Sequence, residues 1–169
     1  MSEAGISIWL NSAGSENDPM NTRIRIGIIV HATSSGELWV KVPPSIRIEM
    51  TGQPGRFVTG KDIILFLIAK IGVDGALNAA LEFGGPGLAN LNIDERMAIA
   101  NMSVEAGADT CVFEYDEQVA RYIENTGWTA RKPVMPDEDA IYLAKYTIDL
   151  NKLEPMIAAP PSPANGQPI

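Results

Sequence analysis

Apolar and polar positions alternate in two clear segments of the chain and recur at helical spacing in three others. Ile46, Ile48 and Met50 alternate with Arg47, Glu49 and Thr51, the period of a half-buried strand. Ala140 to Leu150 alternates again, with Tyr142, Ala144, Tyr146, Ile148 and Leu150 on one side. Arg23 to Val30 begins as alternation and ends as an apolar run, and Leu38 to Val42 stops at Pro43-Pro44, so both predict strands. Short strands are also expected ending at Glu82-Phe83 and running from Thr110 to Phe113.

The helical segments fall between them. Ile63 to Ile71 is apolar almost all round, as in a helix buried or packed on a sheet; Thr59 or Asp62 can cap it, and Gly72 is a natural left-handed stop. Asn92 with Glu95 three residues on is a capping-box-like start for a second helix. Its apolar stripe is expected at Met97, Ala100, Val104 and Ala108, with Gly107 at its end. Asp116 caps a third helix to about Asn125, placing Val119, Tyr122 and Ile123 on one face with Gly127 beyond. The order strand, helix, strand, helix, strand, helix, strand predicts an α/β domain, a layered α/β/α arrangement on a largely parallel sheet. Residues 1–22 read as irregular, 52–60 as a loop, and Gly84-Gly85-Pro86-Gly87 as a turn needing positive φ. From Pro155 the chain carries five of its 12 prolines and reads as an extended linker or a cut end.

Composition narrows the function. Of 169 residues, 46% are hydrophobic, enough for one domain with a real core. A net charge of −8 argues against nucleic acid or an anionic membrane as the main partner. The longest apolar run is too short to span a bilayer and no signal peptide opens the chain, so a cytoplasmic or organelle-matrix location is expected. With one cysteine, Cys111, and one histidine, His31, the chain can build neither a disulfide within itself, nor a zinc site of the usual Cys/His type, nor an iron–sulfur cluster, which takes about three or four thiolates.

Little else in the residues suggests chemistry. The turn after Phe83 lacks the spacing of a phosphate loop, Gly60-Lys61-Asp62 reads as a helix cap, and Cys111 as a small buried hydrophobe. Asn101 and Glu105, four apart and framed by Ala98 and Ala108, are either an exposed helix edge or a carboxylate and carboxamide facing a cleft. In the second case Glu105 is expected to accept or deliver a proton or to hold a water, with Asn101 orienting it.

Several segments in sequence carry a resemblance. Glu37-Leu38-Trp39-Val40-Lys41-Val42-Pro43, Thr59-Gly60-Lys61-Asp62-Ile63-Ile64-Leu65, Glu82-Phe83-Gly84-Gly85-Pro86-Gly87, the run Ala100 to Ala108, Val112 to Asp116, Leu153-Glu154-Pro155 and Pro160-Pro161-Ser162-Pro163 follow one another at the spacings of one family. Over about residues 36–163 the chain resembles the aconitase and isopropylmalate dehydratase (large subunit) family, in its second α/β domain. The resemblance implies a hydro-lyase that isomerises a hydroxy di- or tricarboxylic acid by dehydration and rehydration. In such enzymes the open iron of a [4Fe-4S] cluster acts as a Lewis acid on the substrate hydroxyl. It also implies that Asn101 and Glu105 match the family's Asn-x-x-x-Glu pair, side by side at the mouth of a cleft. Isopropylmalate or homoaconitate is favoured over citrate by Ile93-Asp94-Glu95-Arg96-Met97 and Leu153-Glu154-Pro155.

The departures are equally specific. The family's cluster cysteines, its upstream Asp-Ser-His-Thr motif and its substrate-binding arginines have no counterpart, and Ala100 stands where the family often has Cys. The expected division is a divergent segment 1–35, an aconitase-type domain 36–152 and a Pro-rich linker or truncated end 153–169. The chain alone is expected to hold no cluster and to be inactive without the missing domains or a small subunit. The rival expectation is a non-catalytic α/β module: a pseudoenzyme, an acid-metabolite binder or a subunit-interaction domain.

Overall fold

The computed structural model describes residues 42–127 and 133–169, and from Pro43 onward they form one compact unit. The strands predicted at 23–30 and 38–42 fall outside the described residues but for Val42, as does His31. Four strands form one parallel sheet: β1 (Ser45–Thr51), β2 (Ala80–Gly84), β3 (Thr110–Phe113) and β4 (Ala144–Asp149), in the order β3-β2-β1-β4. Three helices connect them: α1 (Gly60–Ile71), α2 (Ile93–Met102) and α3 (Glu117–Asn125). The α/β class and parallel sheet are as expected.

Register explains the core. Ile46 lies beside Leu81, and Ile48 lies between Phe83 and Tyr146. The side-chain period of two therefore brings Ile46, Ile48, Met50, Leu81, Phe83 and Ile148 to one face. All six are at most 2% exposed. Ile63, Ile64, Leu67 and Ile68 of α1 close that core, with Ile99 of α2 and Ala106 beyond it. The intervening positions carry charge: Arg47 on β1 is bracketed by Glu49, Glu82 and Glu114 at 2.9, 2.9 and 2.5 Å.

The Gly-rich turn after β2 exists because of those carboxylates. A Cβ on Gly84 would sit 2.3 Å from the Arg47 guanidinium and 2.4 Å from the Glu114 carboxyl carbon. Gly85 adopts φ of 92° and ψ of 170°, a region essentially closed to other residues, and packs on Glu49 and the Met50 carbonyl. A 3₁₀ turn over Pro86–Asn90 then leads to α2.

Helix caps match expectation in part. Thr59 is the N-cap of α1, and Asp62 reaches back to its N–H and hydroxyl, both at 2.7 Å. Gly72 ends α1 at φ 86° but ψ 170°, positive φ without the left-handed helical turn expected there. Asn92 accepts the Glu95 N–H at 2.9 Å. The Glu95 side chain does not return to Asn92; its carboxylate takes the Gly60 N–H and ties the start of α2 to that of α1.

Two expectations are corrected. The apolar stripe drawn through Met97, Ala100, Val104 and Ala108 does not face the core as a whole: Met97 is 48% and Val104 64% exposed, while Ala108 packs against the core. The buried positions are Arg96, Ile99, Ser103 and Ala106. The segment from Pro155 is no extended linker either. Met156–Ala158 (β5) and Gly166–Pro168 (β6) pair as an antiparallel hairpin. The hairpin packs on α1, with the Met156 N–H donating to Asp62 at 2.7 Å.

Candidate functional site

Three polar constellations stand out, and in two of them the charges are paired with one another. Arg96 is 3% exposed. Four of its five N–H groups are used: it donates to the carbonyls of Leu91 and Leu88 at 3.0 and 2.9 Å and grips both oxygens of Asp116 at 2.9 and 2.5 Å. Asp116 in turn caps α3 by accepting the Val119 N–H. Burial alone would raise the Asp116 carboxyl, but the bonds from Arg96 and Val119 hold it below the ordinary carboxylate range. The Arg47 cluster is paired in the same way. Burial works against its charge, but Glu114 and Glu49 outweigh that and raise its pKa. Tyr142 completes the cluster by donating to Glu82 at 2.7 Å. Burial and that bond to Glu82 raise the phenol above its ordinary value.

The third constellation is open. A cleft of about 550 Å³ lies between α1, the end of α2 and the C-terminal hairpin. Its polar lining is Lys61, Asn101 and Glu105, set in a wall that includes Leu65, Met156 and Ile157. Asn101 and Glu105 are both exposed and share this cleft. They are not on one helix, however: α2 ends at Met102, and Glu105 sits on a 3₁₀ turn over Ser103–Ala106 that Gly107 closes at φ 79°. That turn forms because Ser103 is buried and its hydroxyl bonds back to the Ala100 carbonyl at 2.7 Å. Neither Asn101 nor Glu105 makes a side-chain hydrogen bond or ion pair among the described residues. Reading the sequence missed Lys61 as a lining residue and missed the hairpin that forms one wall. The Gly60-Lys61-Asp62 run was the available signal.

The single thiol, Cys111, is half-buried on β3. Burial pushes Cys111 up to about 12, offset in part by the Ser103 hydroxyl. Among the described residues no group of three or more His, Cys, Asp or Glu is arranged to hold a metal ion. One thiol does not fit an iron–sulfur cluster, which takes about three thiolates at least.

Fold and cleft together describe a parallel α/β domain that presents a carboxylate, a carboxamide and an ammonium in an open, partly apolar cavity. Comparison with known proteins identifies its family. The model of the aconitase family (aconitate hydratase) matches residues 27–169, and the chain belongs to that family. It is 52% identical over 77% of its length to the 3-isopropylmalate dehydratase large subunit 2 of Rubrobacter xylanophilus, covering 31% of that protein. It is 46% identical over 80% of its length to the 3-isopropylmalate dehydratase large subunit of Acetivibrio thermocellus, covering 32%. To the 2,3-dimethylmalate dehydratase large subunit of Eubacterium barkeri it is 41% identical over 80% of its length, again covering 32%. The chain thus spans about a third of the length of the relatives it matches.

Proposed function

We propose that this chain supplies one α/β domain of an isopropylmalate-dehydratase-type hydro-lyase, a lyase of amino-acid biosynthesis, and that its cleft faces the hydroxy-acid substrate. The observation that carries the reading is the pairing of Asn101 and Glu105, uncommitted and exposed, in one cleft. An uncommitted carboxylate can move a proton, whereas those of Glu114 and Asp116 are held in ion pairs. Glu105 accepts or delivers a proton through a carboxyl oxygen, and the Asn101 amide orients the reacting group. The malates named in the relatives carry the two carboxylates and one hydroxyl such a cleft can address.

The [4Fe-4S] cluster of the complete enzyme then takes its ligands from outside this chain, since Cys111 is its one cysteine. The partners are the remaining domains and a small subunit, as the relatives' designation as large subunits supports. The lone, unpaired thiol suits a reducing cytoplasm or organelle matrix. No helix among the described residues is long and apolar enough to cross a membrane.

The test is a chimera. Residues 43–169 replace the matching third of the Rubrobacter large subunit, and conversion of 3-isopropylmalate is measured with the small subunit present. Retained turnover supports the reading. A folded, subunit-bound chimera without turnover supports the second reading, a non-catalytic module that binds an acid metabolite or another subunit. The single cysteine favours that second reading for this chain taken alone. Whether the neighbouring downstream reading frame encodes a Cys-Thr-Asn segment separates the two at the level of the gene.

A further inference from the structure

We infer that Lys61 is the carboxylate-binding residue of the cleft, holding one end of a hydroxy-acid while Asn101 and Glu105 meet its hydroxyl end. Lys61 lies on the first turn of α1, is exposed, and lines the same cavity as Asn101 and Glu105. Its neighbours leave its charge available. Asp62 points away and is spent on Thr59 and on the Met156 N–H. Glu95 is bonded to the Gly60 N–H. Lys61 and Glu105 form no ion pair with each other, so opposite charges flank the cleft without closing it.

A ligand that bridges them needs an anion at one end and a hydroxyl at the other, which is the chemistry of a hydroxy-acid. The wall between them is apolar, with Leu65, Met156 and the half-exposed Ile157, and suits a branched alkyl substituent. An ammonium is a point charge on a flexible stem, able to follow a carboxylate within such a cavity. This assignment rests on the reading of the cleft as a hydroxy-acid site, and it names the residue that sets the ligand's orientation.

The experiment titrates L-malate into the full chain and follows backbone amide shifts, with the uncharged diamide of malate as control. Binding is expected to shift amides at Lys61, Asn101 and Ile157, and the diamide is expected to leave them unmoved. Lys61→Gln should weaken malate binding by about tenfold, and Lys61→Arg should restore most of it. Circular dichroism and thermal unfolding should match across the variants, because Lys61 is exposed. Malate bound equally well by Lys61→Gln, shifts confined to another surface, or no malate binding by the wild-type chain would each overturn the assignment. In the chimera, Lys61→Gln should raise KM for 3-isopropylmalate and leave kcat nearly unchanged. An active chimera with an unaltered KM would remove Lys61 while leaving the function of the cleft standing.

Discussion

Arg96–Asp116 and Lys61–Glu105 each bring one cation and one carboxylate to the neighbourhood of α2, and they behave in opposite ways. The first pair is sunk behind the 3₁₀ turn after β2, with both carboxylate oxygens gripped and two more donors on backbone carbonyls. The second is exposed on either side of a cavity and unjoined. A buried arginine that grips both oxygens of a half-buried carboxylate is a structural joint, destabilising when halved. Exposed charges that line a cleft without meeting contribute little to the fold and remain free to meet a ligand. Stability and function are therefore expected to separate cleanly along this line.

The largest effect tests the paired side. Arg96→Met should strand Asp116 and two carbonyls and cost about 4 kcal/mol in denaturant unfolding. A loss below about 1 kcal/mol would mean the pair is ornamental and the contrast false. Gly85→Ala comes next, at about 3 kcal/mol, because φ of 92° with ψ of 170° excludes a Cβ and the Glu49 carboxylate and Met50 carbonyl crowd the position.

Asp62→Asn is smaller, about 2 kcal/mol at neutral pH, for the loss of charge-assisted bonds to Thr59 and Met156. Its pH dependence has a definite sign. Burial raises the Asp62 carboxyl, but the Met156 N–H and the Thr59 hydroxyl and N–H outweigh it and leave it below its ordinary value. The stabilisation is thus present above the unfolded value, about 4, and lost as pH falls through the lower folded value. Wild type and Asp62→Asn should converge in stability as the pH drops below about 4. A gap that stays constant down to pH 2 would show that the carboxylate's charge is not what anchors the hairpin. At the other extreme, Glu105→Gln should change stability by no more than about 0.5 kcal/mol, as at an ordinary surface position.

The same contrast explains what could be read from residues alone. The Ile46–Met50 alternation, the apolar run of α1 and the Asn92 and Asp116 caps were legible because each depends on near neighbours in sequence. The buried face of α2 was not. The inward positions are Arg96 and Ile99 on α2 and Ser103 and Ala106 on the 3₁₀ turn after it, and a hydropathy stripe cannot follow a face whose first member is an arginine. Arg96 is buried only because Asp116, twenty residues on, and two carbonyls receive it. The hairpin was hidden for a related reason. Prolines suggest an extended chain, while the bond from Met156 to Asp62 spans 94 residues of sequence. Asn101 and Glu105 were legible as a pair by spacing and resemblance. Lys61 became visible once the hairpin closed the cleft around it.

Turnover of the chimera carrying Glu105→Gln addresses the central contrast most directly, because one substitution is read on both scales. Conversion of 3-isopropylmalate should fall by about 10²–10⁴-fold if the carboxylate moves a proton, with unfolding midpoint and subunit binding unchanged. Undiminished turnover in a fully folded Glu105→Gln chimera would contradict the account and reduce Glu105 to a surface residue.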